Sequence, residues 1–231
     1  MNKEKKILRQ SLSNRIVHWV TALSIFALII SGLGQLPLYK RYFVTNLPGA
    51  EWLGDYFSTL VMHYIGAIGL LFIVFYHIIL HLIRKEFDIW PKKGDLKESY
   101  LIIKAMITKC KEPECDKYLA EQRLAYLFIG INIMLLVITG IIKIVKNVPG
   151  VTMPNEVIFW SAHIHNFATI FLILGIIGHL AAFLFKENRA LLPGMFTGYV
   201  KEEYVKHRHC LWYDKLCSND KTSNNKKQKA N

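Results

Sequence analysis

Residues 159–187 read FWSAHIHNFATIFLILGIIGHLAAFLFKE, an apolar run that is long enough to cross a bilayer and yet carries three histidines. A helical span needs about 20 such residues, and titratable side chains within one are costly and tend to mark function. His165 and His179 are 14 residues apart, so on a helix their azimuths differ by about 40° and their heights by about 21 Å. One face of this helix therefore offers imidazoles at two depths. His163 lies roughly 160° from His179 on the same wheel and points elsewhere.

Working outward, three more runs of spanning length precede this one. The spans are expected at about 16–36, 57–83, 124–142 and 157–185, which leaves little chain for a soluble domain. With 52% hydrophobic residues gathered into these runs, the chain reads as an all-α integral membrane four-helix bundle. The first run is too long, and too far from a small-residue cleavage site, to be a removable signal peptide. The expected organisation is a segment 1–14, a four-helix transmembrane domain 15–190, a tail 191–217 and a disordered, polar end 218–231.

The net charge of +12 is set by topology rather than by a polynucleotide. Lys and Arg number five before the first span, ten between the second and third and ten after the fourth, against two in each of the other two connections. That asymmetry puts both termini and the loop 84–123 on the cytoplasmic side of the membrane. The basic faces then meet water and anionic headgroups, and no nucleic acid is implied. Within the loop, DLKESYLIIKAMITK has the apolar spacing of a short interfacial helix.

Other spans carry histidines too: His18 near the start of the first, and His63, His77 and His81 in the second. The third span has none and can only pack and shape a pocket. Imidazoles offered from different helices suit haem b, which needs two axial ligands per iron and sits edge-on inside a bundle. The second and fourth spans run in the same direction, so His63 and His165, both near the outer end, match in depth and form one pair. At the inner level His179 has two candidate partners, His18 and His77. His77 follows His63 by the same 14 residues that separate His165 from His179, a pairing of intervals that resembles the cytochrome b of bc-type complexes. A zinc or di-metal centre is disfavoured, because no span holds a carboxylate to complete it. His163, His81, His207 and His209 read as interfacial or tail residues.

Several further stretches carry a family likeness: NRIVHW opening the first span, MHYIGAIG in the second, KYLAEQR before the third, VITG within it, and GMFTGYVKEEYVKHRHCLWYDKL in the tail. With the His165–His179 interval, they make the chain resemble the cytochrome b (gamma) subunit of membrane-bound respiratory formate dehydrogenases, relatives of the cytochrome b of nickel-iron hydrogenases. The likeness runs from about Arg15 to about Leu216. It implies two b haems, the outer held by His63 and His165 and the inner by His18 and His179. The family pattern has no ligand at the His77 position, so His77 is a departure. The resemblance also implies a quinone pocket near an Asn-Ala-Gly-Gln segment, which here reads Leu119-Ala120-Glu121-Gln122; only Gln122 carries over.

The activity so implied takes electrons from a periplasmic iron-sulfur subunit, itself joined to a catalytic formate dehydrogenase subunit, through the outer and inner haems to menaquinone near the cytoplasmic side. No formate-oxidising site is expected on this chain. Glu121 and Lys117 are candidates for proton entry. The alternatives are the cytochrome b of a nickel-iron hydrogenase and a non-redox anchor or assembly protein. Cys110, Cys115, Cys210 and Cys217 all fall on the expected cytoplasmic side and could meet around zinc or an iron-sulfur cluster, although neither spacing is usual for one.

Overall fold

The computed structural model describes residues 4–229, with side chains as far as Asn219; the expected disorder of 218–231 extends to residues that lie outside the described ones. In chain order the elements are β1 (Lys6–Leu8), α1 (Leu12–Gln35), α2 (Leu38–Arg41), α3 (Tyr56–Arg84), α4 (Asp95–Thr108), α5 (Ala120–Val145), α6 (Asn155–Ala181), α7 (Lys186–Arg189), α8 (Leu192–Phe196), β2 (Tyr199–Lys201), α9 (Glu202–Arg208) and α10 (Cys210–Lys229). Short 3-10 turns at Val44–Asn46, Glu51–Gly54 and Ala182–Leu184 complete the described elements. Among the described residues the protein is all-α apart from two short strands. Four of the described helices, α1, α3, α5 and α6 as extended to Leu184, are long and apolar enough to cross a membrane.

Local chemistry fixes the helix ends. Asp55 caps α3 by accepting from Ser58 N at 2.7 Å, which satisfies one of the amides that a helix start leaves unpaired. α3 stops at Lys85, which takes the left-handed conformation (φ 53°). At the start of α5, Gln122 Oε1 accepts from Leu119 N at 3.2 Å, the reaching-back half of a capping box.

The chain divides into two compact units. One comprises Leu12–Lys85 and Leu135–Thr169. In it α1 and α3 run antiparallel along a seam of small residues. Ser24, Leu28, Ser31 and Gly34 of α1 recur every three or four residues and so share a face; on α3 the matching stripe is Gly69, Gly66, His63 and Thr59. A Cβ added at Gly69 would stand 3.0 Å from Ser24 Oγ, one at Gly66 would stand 3.1 Å from Leu28 Cγ, and one at Gly34 would come within 2.5 Å of Thr59 Cγ2. With no hydrophobic drive between helices in lipid, such close backbone approach supplies the association. His63 is therefore built into a helix–helix seam.

The other unit comprises Glu86–Met134 and Ile170 onward, together with the N-terminal residues to Ser11. Here β1 pairs antiparallel with β2, Ile7 opposite Val200, over a core of Val200, Val205 and Trp212. Gly198 (φ 89°) makes the turn into β2, and its carbonyl accepts from Arg9 N and Gln10 N at 2.8 and 3.1 Å. The Arg9 side chain is buried and donates to Lys117 O at 2.7 Å, Gln122 Oε1 at 3.2 Å and His209 Nε2 at 3.4 Å. His209 Nδ1 lies 2.6 Å from Asp116 O, so it carries the proton and leaves Nε2 to accept from Arg9. Burial, with the Arg9 guanidinium beside it, pushes the His209 imidazole down to about 4, and it stays neutral. The helix α4 is pinned to α5 by Arg123, whose Nε and Nη2 reach Asp95 Oδ2 and Oδ1 at 2.8 and 2.6 Å, with both side chains 3% exposed.

Candidate cofactor site

His63 is set in the α1–α3 seam, half-buried, with Nδ1 at 3.0 Å from Ser31 Oγ. His165, on the part of α6 that lies in the same unit, has Nδ1 at 2.8 Å from Thr139 Oγ1 of α5. Each ring also passes beside a glycine that follows the hydroxyl residue. A Cβ at Gly32 would meet His63 Cε1 at 3.5 Å, and one at Gly140 would meet His165 Cε1 at 3.7 Å. The two imidazoles come from different helices and face the same space, their ring centroids 6.4 Å apart and their planes inclined at 54°.

That spacing tests which group the pair can hold. Rings in direct hydrogen bond would sit closer. Two imidazoles sharing one metal at about 2.0–2.1 Å from each nitrogen, with each ring centre about 1.1 Å behind, would have centroids about 6.3 Å apart. The observed distance fits a single iron between them. Nδ1 is engaged by a hydroxyl in both rings, so Nε2 is the nitrogen of each that is left open to a ligand.

Lys143 lies one helical turn beyond Thr139 on α5 and is half-buried. Among the described residues no carboxylate is within ion-pair distance of it. A cation at the edge of an imidazole pair suits the anionic carboxylates that haem b carries.

The remaining sequence candidates are placed as follows. His18, half-buried on α1, stands edge-on to Trp19 with centroids 5.1 Å apart. His77 packs at 4.3 Å against His81 on the same helix. His179, near the end of α6, belongs to the other unit and stands edge-on to Phe183 at 6.0 Å. His163 is exposed, with Nδ1 turned back onto Phe159 O of its own helix at 2.8 Å. Gln122 is engaged by Leu119 and Arg9. Both carboxylate oxygens of Glu121 are buried without a hydrogen-bond partner. Cys115 is buried among Ile102, Leu119 and Ala120, whereas Cys110 is exposed.

The residues that sequence reasoning did not single out for this site are Thr139, Gly140 and Lys143. The signal available for two of them was the recurrence of a hydroxyl-glycine step, Ser31-Gly32 in the first span and Thr139-Gly140 in the third.

Membrane-crossing helices with imidazoles paired at single-metal distance define a class of haem-carrying, electron-transferring membrane proteins. The chain belongs to the prokaryotic cytochrome b561 family, whose profile matches residues 9–198. It is thus a b-type cytochrome of a bacterial membrane. It is 27% identical over 222 residues to the cytochrome b556(Fdn) subunit of the nitrate-inducible formate dehydrogenase of Escherichia coli K12, a match covering 94% of each chain. The same identity is found with the corresponding Shigella flexneri subunit. The cytochrome b556(fdo) subunit of an E. coli K12 formate dehydrogenase is 25% identical, over 92% of this chain and 94% of that one. These findings agree with the family resemblance carried by the sequence motifs.

Proposed function

We propose that this chain is the membrane cytochrome b subunit of a respiratory formate dehydrogenase, conveying electrons from a periplasmic iron-sulfur subunit to menaquinone. The observation that carries this reading is the His63–His165 pair, 6.4 Å between centroids, with both Nδ1 atoms held by hydroxyls of neighbouring helices. His63 and His165 hold the outer haem b, and Lys143 balances its carboxylates. His18 and His179 hold the inner one, as the family likeness implies, with His77 the competing partner for His179. Bound at these positions, haem supplies reversible one-electron transfer.

The protein's own contribution is ligation, spacing and a low-dielectric shell. The uneven distribution of Lys and Arg puts the His63–His165 end at the periplasm, where an iron-sulfur partner docks, and the start of α5 at the cytoplasm. Gln122 borders the quinone pocket there. Glu121 presents an unpaired buried carboxylate in the same turn, suited to holding a proton for the quinone. The relatives named above favour formate over hydrogen as the electron source.

A reduced-minus-oxidised spectrum of the purified protein tests the reading. Two b-type components are expected, and His165→Ala should abolish one of them. A colourless protein, or a His165→Ala variant with both components intact, would refute it. Copurification followed by formate and hydrogen assays identifies the partner.

A further inference from the structure

We propose that Ser31 and Thr139 are positioning residues for the outer haem, each locking the facing imidazole in the tautomer that ligates iron and raising its donor strength. The inference rests on the haem reading above. It follows from who can donate to whom. Ser31 Oγ lies 2.6 Å from Ala27 O and 3.2 Å from Leu28 O; Thr139 Oγ1 lies 2.6 Å from Leu135 O and 3.3 Å from Leu136 O. A carbonyl can only accept, so each hydroxyl hydrogen is committed to its own helix. Towards the imidazole the hydroxyl oxygen can then only accept, and Nδ1 must carry the proton. The chain Nδ1–H to Oγ–H to O=C therefore has one direction in both places, and it leaves Nε2 of His63 and of His165 with a lone pair.

The bland account of a Ser or Thr in a span is back-bonding to the preceding turn. That explains the hydroxyl–carbonyl contacts but not why both hydroxyls also meet the Nδ1 of a histidine on another helix. Nor is the contact general to histidines here, since His163 turns instead to its own Phe159 carbonyl. No water is at hand in a span to replace a lost partner, and the Leu28 carbonyl that also engages the His63 ring can only accept, so it enforces the same tautomer as the hydroxyl. A ligating imidazole whose other N–H is hydrogen-bonded is a stronger donor, and losing such a partner typically costs 10–100-fold in metal affinity. A stronger donor favours the oxidised iron and lowers the midpoint potential.

The test is potentiometric titration of the purified protein, with the haem-to-protein ratio after detergent washing as a second readout. The variants are Ser31→Ala and the isosteric Thr139→Val, with Ser31→Thr and Thr139→Ser as conservative partners. Loss of either hydroxyl should raise the potential of one haem component, leave the other in place and weaken haem retention roughly 10–100-fold. The conservative variants should restore both. Unchanged potential and retention in both Ser31→Ala and Thr139→Val would overturn the inference, as would equal shifts of both components. Wild-type protein without haem bands would instead overturn the haem reading itself.

Discussion

Replacing Gly34 by alanine should damage a cofactor site that Gly34 does not touch. The new Cβ would fall 2.5 Å from Thr59 Cγ2, 3.0 Å from Leu53 O and 3.2 Å from Thr59 Cβ, where carbon atoms rest comfortably at about 3.5–4.0 Å. Thr59 cannot swing aside, because it is fully buried and its hydroxyl is engaged by Asp55 O and Tyr56 O, each at 3.0 Å. The helices α1 and α3 must therefore part by about 1 Å at this point, at an overpacking cost of about 1–3 kcal/mol. One turn away on the same seam, the 3.0 Å contact between Ser31 and His63 would open to about 4 Å, too long for a hydrogen bond. The overpacking cost burdens the fold with or without haem, whereas the lost hydrogen bond acts on the ligand itself and should weaken haem retention roughly 10–100-fold. Thermal loss of the haem absorbance measures it. Gly32→Ala, whose Cβ would sit at an ordinary 3.5 Å from His63, is the control, and Thr59→Ser, which deletes the clashing Cγ2, should partly rescue Gly34→Ala. If Gly34→Ala matches Gly32→Ala in haem retention, the seam does not position His63.

Two further expectations concern the other unit. Asp95→Asn leaves the Arg123 guanidinium buried without its bidentate partner, which costs about 3 kcal/mol, so amide exchange along α4 should quicken by roughly 10²-fold; exchange at the wild-type rate would show that the pair does not hold α4. Since the Arg123 hydrogen bonds keep the Asp95 carboxyl below its ordinary 3.8, the stabilisation is complete above that value and fades only as pH falls through the lower, folded one. Burial, reinforced by Glu121, Glu112 and Glu98, pushes the Cys115 thiol up to about 12. In protein with Cys210 and Cys217 changed to serine, a maleimide at neutral pH should label exposed Cys110 and spare Cys115 until the protein is unfolded. Equal labelling rates would contradict the burial.

What the sequence made legible follows the range of the physics involved. Spans are written as local apolar runs, and the depth match of His63 with His165 needs only helical rise, so both could be read from residue numbers. The partners of those rings could not. A hydroxyl in a span usually bonds its own preceding turn, and the hydroxyl-glycine step shared by Ser31 and Thr139 does not by itself say that they also reach across to a neighbouring helix. The β1–β2 pair was invisible for a different reason: each strand has three residues, too few for a period-two pattern, and the pairing joins Lys6 to Lys201. His209, which reads as a tail residue, is fully buried because that same long-range closure brings Arg9 onto it. The contacts that hold Gln122 were equally invisible, since its Oε1 accepts from Leu119 N at the helix start and from Arg9, 113 residues away.

The arrangement around His63 and His165 repeats one device twice. An odd-numbered span supplies a hydroxyl-glycine step, Ser31-Gly32 or Thr139-Gly140, and the following span supplies the histidine. Within each step the hydroxyl fixes the proton on Nδ1, and the glycine lies beside the ring, where a Cβ would make ordinary contact at 3.5 or 3.7 Å. A ring without that hydroxyl acceptor would keep an unpaired N–H in hydrocarbon, at a cost of several kcal/mol. Each ring is held by a hydroxyl of a neighbouring helix, His63 by Ser31 of α1 and His165 by Thr139 of α5, and both rings lie in one unit. A site preorganised in this way spends little binding free energy on ordering its ligands. It also resists relaxation when the charge on a bound iron changes, which is what fast electron transfer requires of the protein around it.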